Sequence, residues 1–412
     1  MFVKNNINNS KSYLLAFMAI TIFYFFESAQ MSYFNILAPY YLDNHIYSPE
    51  QIADLSAAYY YGNVFGLIPV GLILDKLPLR KALLWAIFGS IIGAFLLIVS
   101  PDVQLQWIAR FICGFFGGAF SFVGGIKVIA CICNNRFSLF MGLFIAAGMF
   151  GGLICQYPLL IVVAKIGPDG AMAIVASFGV IVGILNLLFL HLPKNHLDTN
   201  RSNIYQGTFM QMCSEIVKNV RNWLDCLMIV LLDTPVSIIG TLWGIVLFSG
   251  FYHFSSEASS WVVMSLFMGL IIGSPLWGII ADKYTNSKWL VISGASVSGF
   301  FVVCLIIIPA ENAVLISVLS FGLGLFSSCQ TIGFTWLTKN MKPELIGRNS
   351  AFNSMIFMGT NGAIKQLGAF FLSASPVVGL SSTSNLLVFI LVSMIVTTIY
   401  VLIRNTLFRH LN

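Results

Sequence analysis

Residues 71–81 read GLILDKLPLRK, and residues 278–288 read GIIADKYTNSK. Gly71 and Gly278, Asp75 and Asp282, Lys76 and Lys283, and Lys81 and Lys288 each stand 207 positions apart. Both phrases lie between strongly apolar runs. Basic residues between membrane spans follow from the positive-inside rule, which accounts for the charges but not for Gly-x-x-x-Asp-Lys at matched places. A glycine lets helices approach closely in a membrane, and an Asp can stabilise the start of the next helix. One copy would say little; two in register imply a duplicated unit. The copies differ, since the first has Pro78 and Arg80 where the second has Thr285 and Ser287.

The surrounding chain has 412 residues, 58% hydrophobic and 9% charged, with a mean hydropathy of +0.89. A soluble domain carries about 25% charged residues, so no soluble reading survives. Runs of about 20 apolar residues cross a bilayer, and the punctuation of the sequence sets twelve: 13–41, 52–74, 82–100, 105–130, 137–165, 171–191, 223–250, 258–281, 289–309, 313–337, 347–373 and 385–404. The short linkers SPDVQ, GPDGA and PAEN imply antiparallel hairpins. The expected fold is therefore an all-α polytopic membrane protein with twelve transmembrane helices in two pseudo-symmetric six-helix bundles. Residues 1–191 form the first bundle, 192–222 a cytosolic linker and 223–412 the second. Within the linker, FMQMCSEIVKNVRNWL reads either as an amphipathic helix on the membrane surface or as a plain tether.

Of 21 Lys and Arg residues, 17 fall on the side of the chain termini, and only Lys165 lies in an opposite loop; Arg110, Lys127 and Lys365 fall inside spans. That asymmetry places both termini in the cytosol and makes the net charge of +6 a topology signal, not a nucleic-acid surface. The N-terminal MFVKNNINNSKSYLL is too polar for a cleaved signal peptide and suits a retained first helix. Cys113, Cys155, Cys304 and Cys329 lie in apolar spans and read as small hydrophobes. Cys131 and Cys133 lack companions at metal spacing, so no metal site is expected.

The loop residues Gly71, Asp75, Lys76 and Arg80, the weaker copy Gly278, Asp282 and Lys283, and RFICGFFGGAF at 110–120 together resemble the major facilitator superfamily, over essentially the whole chain. Pro78 stands where that family usually has glycine. GLFIAAGMFGGLICQYP at 142–158 only partly resembles the fifth-helix antiporter motif, because its Gly-Pro pair is absent, which speaks against an exporter. GGAFSFVGGIKVIA, GMFGGLICQYPL and GTLWG resemble, more narrowly, phagosomal nutrient transporters of intracellular bacteria, which take up amino acids or nucleosides. The resemblance implies a gating role for the repeated phrase, a cavity lined by helices one and seven, a monomer, and a bacterial cytoplasmic membrane.

Charges inside a bilayer cost at least about 2.5–3.5 kcal/mol and ask for a partner or a role. Glu27 and Asp233 lie near the middles of spans one and seven, almost 207 apart. They read as proton-coupling carboxylates, or alternatively as members of permanent ion pairs or caps at a helix break. Glu27 shares a helical face with Gln30, and Asp233 with Ser237. Arg110 heads a face with Gly114, Gly117 and Ser121; the family resemblance links such an Arg to proton coupling or to structure. Lys127, ~25 Å further along the axis, reads as a snorkelling side chain or a substrate residue. Lys365 is harder to bring to a surface and reads as a substrate or counter-ion residue. Asn361, Gln156, Tyr157, Gln330 and Trp243 complete the substrate-binding candidates, each with a structural alternative as interhelical glue or interfacial aromatic. Tyr59, Asn353 and Gln366 are further polar positions.

The function expected is proton-coupled uptake of a small polar nutrient, an amino acid first, by alternating access, with no cofactor and an ion gradient as driving force. The alternatives are a larger organic anion such as a carboxylate siderophore, and export of a drug or metabolite. A non-transporting sensor would be expected to carry an appended soluble domain. No nucleophile–base constellation or phosphate-binding glycine loop supports an enzyme.

Overall fold

A computed structural model describes residues 2–99, 102–132, 137–191, 220–283, 287–308, 312–333, 343–374 and 383–407. Residues 192–219 of the expected linker lie outside the described residues, as do the side chains of Asp75, Lys76, Asp282 and Lys283. The described residues form helices: α1 Phe2–Ser32, α2 Phe34–Asp43, α3 Pro49–Lys76, α4 Leu79–Val99, α5 Val103–Ile112, α6 Ala119–Ile132, α7 Phe137–Ile154, α8 Tyr157–Phe189, α9 Val220–Pro235, α10 Gly244–Tyr252, α11 Ser256–Lys283, α12 Ser287–Ile307, α13 Ala313–Ser327, α14 Pro343–Ser373 and α15 Ser384–Leu407. Two π-helical segments, π1 Cys113–Gly118 and π2 Val236–Trp243, join α5 to α6 and α9 to α10.

Nine stretches among the described residues are long and apolar enough to cross a membrane. One of them, Leu143–Phe189, holds two helices on either side of Gly167, whose φ of 78° suits only glycine. With α3 (28 residues) and α14 (31 residues), the rods among the described residues number twelve, as the sequence predicts. The turn residues do what their chemistry suggests: Asp102 accepts from the Gln104 N–H at 3.3 Å and Asn312 from the Val314 N–H at 2.9 Å, each capping the helix that follows.

The first span departs from expectation. It is helical from Phe2 and breaks at Tyr33, with the Ile36 N–H folding back to the Tyr33 carbonyl. Pro39 inside α2 has no N–H, and its ring crowds the carbonyl four residues back, which favours a break just upstream.

α4 shows what solvent these rods meet. Trp85, Phe88, Ile92, Phe95 and Val99, spaced three and four apart, are exposed, while Ala82, Ala86, Ser90, Gly93 and Ala94 are buried. Leu79, Leu83, Ile87 and Leu97 are buried with the small residues, so the helix is apolar on both faces: large side chains alone make up the outward stripe, and the small residues lie only on the inward one, as in helix packing in lipid.

Packing groups the chain into two compact units: Met1–Gln30, Ala58–Gly151 and Asp169–Glu215 in one, Met31–Ala57, Gly152–Pro168 and Ile216–Asn412 in the other. The duplication read from the repeated phrase extends into each unit's core. In the first, a Cβ on Gly62, Gly66 or Gly114 would strike the carbonyl of Phe111, Phe115 or Tyr59. In the second, a Cβ on Gly269, Gly273 or Gly324 would strike that of Phe321, Leu325 or Leu266. The offset is 207 on α3 and α11 and 210 on the partner helices, so both units carry the same backbone-to-backbone seam. Pro69 and Pro275 follow the seam at nearly matched places inside α3 and α11.

Beyond the seam, the basic ends of the repeated phrase have matched roles. Arg80 donates to the Leu187 carbonyl at 2.7 Å, and Lys288 to the Leu402 carbonyl at 3.1 Å. Each places a cation near the C-terminal end of the last helix in its half, where the helix dipole favours it.

Candidate functional site

α1 carries Glu27 into the first unit, where it is 1% exposed. The Ser90 hydroxyl donates to its Oε1 at 2.5 Å, the Tyr59 hydroxyl to its Oε2 at 3.1 Å, and the Gln30 amide to Oε1 at 3.3 Å. Gln30 also donates to Ser90 Oγ at 3.1 Å, closing a small ring of bonds. Arg110, fully buried on α5, donates to the Gln30 carbonyl at 2.8 Å, and its guanidinium lies 5.0 Å from the centre of the Tyr59 ring. The π1 segment presses on this cluster. A Cβ on Gly117 would fall on the Glu27 carboxylate, and one on Gly118 would meet the Asn63 amide. The extra residue of a π turn re-aims a helix face, here to bring bare backbone against an acid.

In the second unit, Asp233 on α9 accepts from the Gln330 amide at 3.0 Å and from the Asn361 amide at 3.1 Å. The Ser237 hydroxyl donates to Asn361 Oδ1 at 2.6 Å and lies 3.4 Å from Asp233. One turn beyond Asn361 on α14, Lys365 is fully buried and donates to Thr241 Oγ1 at 2.7 Å and Ser56 Oγ at 3.0 Å. Ser237 and Thr241 both belong to π2, so a second π segment presents one hydroxyl to the Asp233–Asn361 pair and another to the Lys365 ammonium. Gln30 and Gln330 share a further trait: each turns its amide nitrogen toward the carboxylate and leaves its own buried Oε1 without a hydrogen bond.

A third polar knot belongs to the second unit. Asn35 Nδ2 donates to Gln156 Oε1 at 2.9 Å and lies 3.1 and 3.2 Å from the carbonyls of Ile239 and Gly240. Gln156 Nε2 donates to the Gly240 and Gly152 carbonyls, both at 3.1 Å, and the Ile245 N–H donates to Asn35 Oδ1 at 3.2 Å. A π segment weakens ordinary helical pairing, and buried carbonyls need donors; two side-chain amides supply them.

The predicted residues thus divide. Glu27 and Arg110 meet in one cluster, and Asp233, Asn361, Gln330 and Lys365 in another. Trp243 is fully buried and donates to the Lys365 carbonyl at 3.3 Å, bracing α14 from behind. Gln156 holds π2, while Tyr157 donates to Glu257 at 2.8 Å and its ring lies tilted 31° against that of Trp261 at 4.6 Å. Lys127 is half-buried on α6. Asn353 accepts from Asn222 at 3.0 Å, and Gln366 donates to Asp54 at 2.7 Å. Sequence reading missed Ser90, Ser56, Thr241 and Asn35. Ser90 had a signal, as a hydroxyl on the small-residue face of an otherwise greasy helix; the others had none beyond being polar. Among the described residues no group of His, Cys, Asp or Glu is set to hold a metal.

The chain matches the family model described as Major Facilitator Superfamily over residues 20–364. Among solved structures, the crystal structure of a mutant of nucleoside transporter NupG is similar with a TM-score of 0.72 and 14% sequence identity, covering 94% of this chain and 99% of that one. At that identity the likeness is one of fold. No curated protein matches.

Proposed function

The chain belongs to the major facilitator superfamily and is a multi-pass membrane transporter, and we propose that it takes up a small polar solute by proton-coupled alternating access. Glu27 carries this reading. Its carboxyl is buried against two hydroxyls, Ser90 and Tyr59, and a hydroxyl accepts as readily as it donates. Protonated or not, the acid keeps its partners, which is what a site that binds and releases a proton requires.

Lys365 and Asp233, with Asn361 and Gln330, supply both signs of charge and neutral amides in one unit. That mixture suits a zwitterion, and an amino acid is the first substrate class. The basic residues support both termini in the cytosol; the family resemblance supports a bacterial cytoplasmic membrane and a monomer, with two six-helix halves at 1–191 and 223–412. A larger organic anion is the second reading, favoured by the buried ammonium of Lys365.

The test is reconstitution into liposomes with an imposed pH gradient and labelled amino acids, nucleosides and carboxylates, nucleosides being included because of the similar structure. Gradient-driven accumulation of one class is the expected result. Downhill movement that ignores the pH gradient would remove proton coupling, and outward pumping would reverse the direction.

A further inference from the structure

Three interruptions of regular helix meet at the Asn35–Gln156 knot. α1 stops at Ser32, just short of Asn35; α7 stops at Ile154, two residues before Gln156; and π2 supplies the Ile239 and Gly240 carbonyls. The break after α1 has a local cause in Pro39. The convergence of all three on one pair of side-chain amides has no such cause, because Asn35 and Gln156 are 121 residues apart and Gly240 of π2 lies 84 beyond Gln156.

We propose that Asn35 and Gln156 form a reversible latch, closing helices one and five onto helix seven at the end of the molecule away from the chain termini. The proposal rests on the alternating-access reading. The segments Met31–Ala57 and Gly152–Pro168 pack with the C-terminal helices, whereas the remainder of the first six rods packs separately. Three further polar links join the same segments to those helices: Ser56 to Lys365, Asp54 to Gln366, and Tyr157 to Glu257. For the outer end to open, these links must part.

The chemistry suits a latch more than a permanent weld. It is made of amide–carbonyl bonds, and each has a net worth that is small because water can replace it when the ends separate. An apolar seam would resist opening in proportion to its area, and a buried ion pair would strand two charges. Broken helices also move where they are already irregular, since hinge positions sit at element ends. Asn35 has a second consequence here. By holding π2 it sets the position of Ser237 and Thr241, the partners of Asn361 and Lys365, so solute at that cluster and closure of the latch act on the same turn.

Cys155, 3% exposed and adjacent to Gln156, reports on the latch without any solute. The purified chain in lipid nanodiscs is treated with a maleimide, and labelling of Cys155 is read by mass spectrometry. Asn35→Ala is expected to raise its labelling rate about tenfold, and Gln156→Ala to do the same. Unchanged labelling in either folded variant overturns the latch. A second arm leaves the latch residues native: Tyr157→Cys with Glu257→Cys, joined by a short cross-linker, is expected to lower Cys155 labelling about tenfold, and undiminished labelling in fully cross-linked protein overturns the proposal. Because neither readout needs a substrate, a chain that labels as expected but shows no gradient-driven uptake contradicts the proposed function and leaves the latch standing.

Discussion

The Glu27 and Asp233 clusters occupy nearly equivalent places in a duplicated chain, yet their donors differ in kind. Glu27 is held chiefly by hydroxyls, and Asp233 by amides. A hydroxyl rotates in place and serves either protonation state, whereas an amide must turn over to exchange donor for acceptor. The Asn361 amide is further pinned, because its Oδ1 accepts from Ser237 at 2.6 Å. On the proposed function, proton exchange falls to Glu27, whose partners serve either state, and Asp233 is left to orient the amides around it.

Neutralising each acid in turn puts that contrast to its hardest test. Glu27→Gln is expected to abolish pH-driven accumulation while leaving solute exchange. Asp233→Asn is expected to keep gradient-driven uptake with KM raised about tenfold, the worth of a hydrogen bond to a charged group. The opposite pattern in liposome uptake would reverse the assignment.

Next in size is the glycine behind the acid. Gly117→Ala forces a methyl onto the Glu27 carboxylate and is expected to lower stability by about 1–3 kcal/mol and to impair coupling. Gly278→Ala, which meets nothing within 4 Å, should stay within about 0.5 kcal/mol. Thermal unfolding in one detergent compares the two, and equal losses would show that the pressure on Glu27 does not matter.

In the second unit, Lys365→Ala removes the ammonium shared by Ser56 and Thr241. A KM raised about tenfold or more is expected for a carboxylate-bearing solute, and wild-type affinity would take Lys365 out of the site. The smallest effects belong to the ends of the repeated phrase. Arg80→Gln and Lys288→Gln should each cost about 0.3–1 kcal/mol, and by similar amounts, because each docks on a carbonyl near the end of a last helix.

Much of this was legible in the sequence. Apolar runs and the repeated phrase marked out the twelve rods and their pairing, and intramembrane charge pointed to Glu27, Asp233, Arg110 and Lys365, since each must justify its burial. The partners were not legible. Ser90 is 63 residues from Glu27, and Ser56 is 309 from Lys365; no periodicity links such pairs, and a serine in a membrane helix is ordinary on its own. The π segments were hidden too, because a widened turn has no composition of its own. Gln156 shows what that conceals: in sequence it reads as a solute ligand or as interhelical glue, and only the structure shows its bonds running to the backbone of π2 and to Asn35.

The glycine seams also set the mechanics of the rods that carry the repeated phrase. Where α3 crosses its partner, backbone rests on backbone with no flexible side chain between, so that stretch behaves as a stiff bar with the Tyr59 hydroxyl at one end. Pro69 lies just past the seam and removes a rung from the helix ladder, making a compliant joint before Asp75 and Lys76. α11 repeats the arrangement with Gly269, Gly273 and Pro275. The joint thus separates the charged end of each helix from the bar behind it, which keeps its crossing and in α3 keeps Tyr59 against Glu27.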